Sequence, residues 1–126
     1  MATVCVGGRR LKVVSVHADV LMPATRANTE TLANYLKPFV GQGVLLMGDL
    51  NAQPDEKAVE NLTRVGLHDL FAEKASGAQP TFPSDKPRKR IDFFLVDEPL
   101  RAQAGVPLVL PGEASDHRAI EVTIKL

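Results

Sequence analysis

The stretch Val44-Leu45-Leu46-Met47-Gly48-Asp49-Leu50-Asn51-Ala52-Gln53-Pro54-Asp55 decides the fold. Four apolar residues bounded by Gly43 and Gly48 read as a short buried strand. The run stops at an acid and an amide two positions apart, followed by a turn-forming Pro-Asp pair. In extended backbone, residues i and i+2 point to the same side, so Asp49 and Asn51 can converge on one ligand. Ligands of open α/β sheets sit beyond the carboxyl ends of the strands. A purely local reading competes, because Asp and Asn also begin turns through their own side-chain hydrogen bonds.

Three more apolar runs carry titratable residues at their ends. Leu11 to Val16 finishes in His17. Arg90-Ile91-Asp92-Phe93-Phe94-Leu95-Val96 carries an acid near its start. Ala114-Ser115-Asp116-His117-Arg118-Ala119 leads into a strand from Ile120 to Leu126. Four strands thus bring His17, Asp49, Asn51, Asp92, Asp116 and His117 to their termini, where a sheet gathers side chains into a site.

With these pieces in order, the chain resembles the endonuclease/exonuclease/phosphatase superfamily, the fold of deoxyribonuclease I and exonuclease III. The resemblance rests on Gly48-Asp49-Leu50-Asn51, on Thr81-Phe82 followed by Arg90-Ile91-Asp92, and on Ser115-Asp116-His117. His17, in Val13-Val14-Ser15-Val16-His17, is similar to a strand-ending His of the family. The matching region runs from about Leu11 to Leu126. Each motif alone is weak, and the three in series are specific. The resemblance implies an α/β fold: half of a DNase I-like four-layer sandwich, a mixed sheet with helices mainly on one face. Members of the family are longer, and this chain looks like their C-terminal half, a single truncated domain over residues 1–126. The other half normally supplies an Asn and a metal-binding Glu, whereas Met1 to Arg10 contains no carboxylate.

Composition sets bounds. At 126 residues, the chain has the size of one domain and can bury roughly two-thirds of its unfolded surface. Fifteen basic and fifteen acidic residues cancel. This balance argues against a broad nucleic-acid footprint, which needs a basic face, and leaves room only for a local patch. No apolar stretch is long enough to span a bilayer, and Met1 to Arg10 does not read as a signal peptide. Cys5 is the single cysteine, so no internal disulfide forms and the compartment is not indicated.

Periodicity predicts the remaining elements. Thr3 to Val6 and Arg10 to His17 read as a hairpin turned by Gly7-Gly8. Thr25 to Val40 reads as a helix with Leu32, Leu36, Phe39 and Val40 on one face, broken near Pro38. A second helix runs from Pro54-Asp55 to Val65, its stripe being Ala58, Val59, Leu62 and Val65, capped by Asp55 and stopped by Gly66. Val106 to Leu110 is a short strand interrupted by Pro107. Lys86, Arg88, Lys89 and Arg90 read as a solvated basic loop, with Arg90 standing apart as a loop anchor. His68-Asp69 reads as a structural turn, and Asp19 as a surface turn.

Phosphoester hydrolysis needs a divalent cation, an activated water and donors to the phosphoryl oxygens. The oxygens of Asp49, Asn51 and Asp116 are the hard ligands that Mg²⁺ or Mn²⁺ takes. His117 is the general base by its ordinary pKa, and Asp92 the carboxylate that fixes its tautomer, as the resemblance also implies. Asp49 contacts either the metal or the attacking water. His17, in the family-like role, donates to a phosphoryl oxygen. The expected function is a metal-dependent phosphoesterase acting on a phosphodiester or phosphomonoester, incomplete without an N-terminal Asn/Glu half. The rival is a non-catalytic remnant or assembly module of the same fold. A half-sandwich also leaves one sheet face without its partner. Residues such as Val13, Leu46, Phe94 and Val122, or their alternate-facing neighbours, should then meet water, which predicts self-association or binding of a complementary N-terminal half.

Overall fold

The hairpin at the start of the chain shows how local sequence builds the sheet. In the computed structural model, which describes residues 1–126, strand β1 (Ala2–Val6) folds antiparallel onto β2 (Arg9–His17). Gly7 and Gly8 turn the chain at φ 56 and 79°, the doubly left-handed geometry that a two-residue hairpin turn demands. From β2 the chain crosses over through helix α1 (Met22–Leu36) and a 3-10 turn (Lys37–Phe39) to β3 (Val44–Asp49), which lies parallel to β2. Helix α2 (Lys57–Thr63), the two-residue β4 (His68–Asp69) and helix α3 (Leu70–Lys74) follow. Strand β5 (Asp92–Val96) then inserts antiparallel between β3 and β4. The sheet order is β1-β2-β3-β5-β4. Helix α4 (Glu98–Arg101) leads to a small second sheet of β6 (Leu108–Val109) and β7 (Ile120–Glu121).

Strand alternation divides the apolar residues between two cores. Val14, Val44, Leu46, Phe93 and Leu95 face α1 and α2, which contribute Ala33, Leu36, Ala58, Val59 and Leu62. Leu11, Phe94 and Val96 face the other way, under Leu70 and Phe71 of α3, Leu100 of α4 and Ala104. The two longer helices therefore share one face, as a mixed sheet of this kind requires.

Several boundaries differ from expectation. The first helix begins at Met22, not Thr25, because Pro23 suits the first turn of a helix. Its deepest line is Thr25, Thr29, Ala33 and Leu36, and two of these are threonines whose hydroxyls bond back to backbone carbonyls. Asp55 caps nothing. The second helix starts at Lys57, and Glu56 holds the cap position without a side-chain cap bond. The last strand is Ile120–Glu121, followed only by an isolated bridge between Ala104 and Ile124. His68-Asp69 is a strand running into a helix, and Asp69 caps that helix through the N–H groups of Phe71 and Ala72. Asp19 is a turn residue, its carboxylate accepting the Leu21 N–H.

The expectation of a wholly bare sheet face needs correction. Leu46 is fully buried under the helices, and Phe94 is 6% exposed, because α3 stacks the Phe71 ring on it with centroids 6.2 Å apart. Val13 and Val122 are half-buried against the same cluster.

A cleft at the carboxyl end of the central strand

Strand β3 can end where it does only because residue 48 is glycine. Its φ is +133°, and a Cβ there would stand 2.0 Å from the Val16 carbonyl oxygen of β2. Close apposition of β2 and β3 brings His17 level with Asp49, its register partner. The Ala18 N–H then donates to the Asp49 carbonyl at 2.9 Å. Asn51 takes the left-handed conformation (φ 46°), which Asn tolerates better than most residues. Its backbone N–H donates to Asp49 Oδ1 at 2.7 Å, and its amide nitrogen donates to the Ala18 carbonyl at 2.9 Å. With the amide nitrogen so committed, Oδ1 of Asn51 is the atom left for a ligand. Leu50 and Ala52, the alternate residues, are buried. The acid and the amide therefore face one side and the apolar pair the other.

Strand β5 starts at Asp92, directly opposite Asp49. Its entry is clamped by Arg90, whose guanidinium forks onto both carboxylate oxygens of Asp69 at 3.2 and 2.6 Å. The guanidinium also lies 4.5 Å from the centre of the Phe93 ring. Arg90 thus anchors this segment, in contrast to Lys86, Arg88 and Lys89, for which the structure gives no side-chain ion pair.

Together these elements wall a cleft of about 660 Å³, lined by His17, Val20, Asp49, Asn51, Phe82, Lys89, Ile91, Asp92, Asp116 and His117. All six residues singled out from the sequence face it. Within it, His117 Nδ1 lies 2.9 Å from Asp92 Oδ2. A carboxylate only accepts, so Nδ1 carries the proton and Nε2 is left with its lone pair. Nε2 lies 3.8 Å from Asp49 Oδ2, and His17 Nε2 lies 3.6 Å from the same oxygen. These gaps are too long for direct hydrogen bonds, and a water or ion touching both partners would sit to one side of the line between them. The Phe82 ring tilts against the imidazole of His117 at 4.9 Å.

The charges are coupled. Burial pushes the Asp49 carboxyl up, and the Asp92 charge adds to it, against the opposing pull of the Asn51 N–H, His117 and His17. Burial works against a charged His117. The hydrogen bond and charge of Asp92, backed by Asp49 and Asp116, outweigh it and raise the imidazole pKa. Asp49, Asp92 and His117 each offer one ligand atom within 4.8 Å of the others, a set that fits a divalent cation. This trio shares only Asp49 with the sequence-based ligand set of Asp49, Asn51 and Asp116. Asp116 is exposed at the rim, its carboxylate within 3.2 Å of the Ser115 hydroxyl. Sequence reasoning missed Lys89, Ile91 and Val20 as cleft residues. Strand alternation gave no signal for Lys89 and Ile91, since in extended chain they point away from the side of Asp92.

No curated protein is similar to the chain. Solved structures are. A 3' phosphatase from Neisseria, bound to a product DNA hairpin, superposes with TM-score 0.79 at 18% identity, over 98% of this chain and 64% of that one. An endonuclease/exonuclease/phosphatase family protein from Leptotrichia buccalis gives 0.71 at 25% identity, over 98% and 51%. Mannosyl-6-phosphatase from Bacteroides thetaiotaomicron gives 0.74 at 20%, over 95% and 53%. The chain thus spans between half and two-thirds of the length of these proteins. Their common fold is the DNase I-like one, and the family model described as Endonuclease/Exonuclease/phosphatase matches residues 9–117, so the chain belongs to that family.

Proposed function

We propose that the chain carries the base-bearing part of a divalent-metal-dependent phosphoesterase, which hydrolyses a phosphodiester or phosphomonoester with water. The observation that carries this reading is the Asp92–His117 pair, 2.9 Å apart, with the free Nε2 turned towards Asp49. His117 accepts the proton of the attacking water at Nε2, and Asp92 holds the ring and stabilises the imidazolium that forms. His17 donates to a phosphoryl oxygen. Asp49, with Asn51 and Asp116, would hold Mg²⁺ or Mn²⁺, which would offset charge on the phosphoryl oxygens. A second ligand set, Asp49, Asp92 and His117, is favoured by their mutual closeness, and it would spend His117 on the ion instead of on water. Phosphatases and a DNA-bound enzyme stand among the fold's neighbours. The even charge balance favours a small or lipid-borne ester over a polymer. Full activity calls on a complementary N-terminal half, or a second copy, since the chain spans only half to two-thirds of its structural relatives.

The test is hydrolysis of bis(p-nitrophenyl) phosphate with Mn²⁺, with and without chelator, beside a Mn²⁺ titration followed by NMR line broadening. The expected result is a slow, chelator-sensitive rate that falls about 10²–10⁴-fold in His117→Ala, with broadening centred on Asp49 and Asp116. A His117→Ala rate equal to wild type would remove the mechanism. Loss of the His117 ring signal at the first additions of Mn²⁺ would favour the second ligand set.

A further inference from the structure

Thr81 is fully buried, and it touches both halves of the Asp92–His117 pair through the backbone beside them. Its hydroxyl oxygen accepts from the N–H groups of Ile91 and Asp92, at 3.3 and 3.4 Å. Its carbonyl accepts the N–H of Arg118, the residue after His117, at 2.8 Å. Its own N–H donates to the Lys89 carbonyl at 2.8 Å. Three residues on, Ser84 finishes the arrangement. The Ser84 N–H donates to the Asp116 carbonyl at 2.7 Å, and its hydroxyl donates to the Ser115 carbonyl at 2.6 Å. The Arg118 guanidinium returns a bond to the Ser84 carbonyl at 2.9 Å. His117 is therefore held on its N-terminal side by Ser84 and on its C-terminal side by Thr81. Asp92, 25 residues away in sequence, hangs from the Thr81 hydroxyl.

We propose that Thr81, assisted by Ser84, is a positioning residue that sets the Asp92 carboxylate and the His117 imidazole in hydrogen-bond register. Strand β5 and the 115–118 loop pair with each other nowhere in the sheet. Residues 81–84 are the segment whose backbone and hydroxyl groups bond to both, and so tie one to the other. A buried hydroxyl serving two N–H groups is costly to replace by a methyl group of equal size, because both donors are left unpaired. Outer-shell partners of this kind typically control about 10–100-fold in activity. The kinetic part of the inference rests on the phosphoesterase reading; the geometric part does not.

The experiment compares Thr81→Val with Thr81→Ser, reading the ring nitrogens of His117 by long-range proton–nitrogen NMR at one pH where the ring is neutral. His17→Gln and His68→Gln assign the three histidines. Wild type should show the proton on Nδ1. Thr81→Val should redistribute it towards Nε2, and Thr81→Ser should restore the wild-type spectrum. On the phosphodiester substrate, kcat should fall at least about tenfold in the valine variant with KM within about twofold, and recover in the serine variant. If Thr81→Val does not fold, Ser84→Ala is read in its place and should shift the same signals part of the way. A folded Thr81→Val, or failing that a folded Ser84→Ala, with an unchanged His117 ring spectrum overturns the proposal. A wild-type ring protonated on Nε2 would overturn the pair itself, and with it the proposed function. An inactive wild type whose tautomer still answers to Thr81 supports the positioning role alone.

Discussion

His117 and Asp49 face each other across the cleft, and each is shifted in a direction that makes a prediction. The imidazole pKa is raised: burial opposes the charge, but Asp92 outweighs it, with Asp49 and Asp116 adding. The folded state thus binds this proton more tightly than the unfolded chain does. The resulting stabilisation is complete below the ordinary imidazole pKa and is lost as pH rises through the raised one. A general base works deprotonated, so the rate of phosphoester hydrolysis should climb through a limb displaced to higher pH than a free imidazole. Asp92→Asn should return that limb towards the ordinary value and lower the plateau by less than His117→Ala does. A pH–rate profile checks both, and an unmoved limb in Asp92→Asn would refute the assignment. Asp49 is raised by its burial first and by Asp92 second, which for an acid is a penalty on the ionised form in the fold. Stability from this group is therefore greatest when it is protonated and is lost as pH rises past its unfolded value. At neutral pH, Asp49→Asn should raise Tm in the presence of chelator, since the amide can still accept the Asn51 N–H. Mn²⁺ should raise the Tm of wild type and leave the variant unmoved. An Asn variant less stable than wild type without metal would show that the carboxylate is not a strained group awaiting a cation.

At the scale of elements, two joints set the site. The first is Gly48, where any side chain meets the Val16 carbonyl at 2.0 Å. That atom is backbone in the adjoining strand, so Gly48→Ala must push β2 and β3 apart or force the strained φ of +133°. A loss of about 3 kcal/mol or more is expected by urea denaturation, and a loss below about 1 kcal/mol would show that the joint yields. The second is Asp69 with Arg90, 8% and 10% exposed as side chains. Asp69→Ala removes the cap of α3 and leaves a guanidinium unpaired between two rings. It should cost about 3–5 kcal/mol, where a surface ion pair would cost at most about 1. These joints also mark where sequence was readable. Hairpin, crossover helix and strand ends were legible because each has a local signal: paired glycines, a 3.6-residue stripe, an apolar run meeting Asp or His. Helices α3 and α4 were not, since five and four residues are too few to display a period. The cap expected of Asp55 went to no side chain, while the real one, Asp69, looked like a turn. The buried threonines of α1 were passed over because their hydroxyls are satisfied within the helix itself, which composition cannot reveal. In the cleft, His17, Asp49, Asn51, Asp92, Asp116 and His117 announced themselves by position at strand ends, whereas Val20, Lys89 and Ile91 did not. The tie from Thr81 to Asp92 and Arg118 joins segments far apart in sequence, and its Thr-Phe signal carried no hint of which bonds it makes.

For the molecule as a whole, the second sheet face sets the chain's behaviour in solution. Strands β6 and β7 with α3 and α4 cover this face over β5 and reach Leu11 and Val13 of β2, while every residue of β1 stays exposed. Val4 and Val6 of β1 are 39% and 45% exposed, and by register they share a face with Leu11 and Val13. Val106, just before β6, and Leu108, its first residue, are 56% and 51% exposed. Strand β1 is also a sheet edge with no partner on its outer side, the kind of edge that pairs with another chain. We propose that two copies associate through this face and edge when no complementary half is present. A remaining patch on the order of 400 Å² lies within the range of the largest patches on ordinary monomers. Burying it on both copies is worth about 20 kcal/mol at about 25 cal/mol per Å², against association costs of roughly 4–15 kcal/mol. The surplus is positive, yet the area falls below that of a standard interface, about 1,600 Å², so the complex should be weak and reversible. Sedimentation velocity from about 1 to 100 μM should show a monomer–dimer equilibrium, a range chosen to bracket affinities of about −8 to −5 kcal/mol. Replacing Val4 and Val6 by Lys should move it towards monomer without loss of the far-ultraviolet signal of the fold. A compact monomer at every concentration, with no binding of hydrophobic dye, would mean that the segment from α4 to β7 already closes the face. A monomer that binds dye would instead leave the face open and reject the second copy as its occupant.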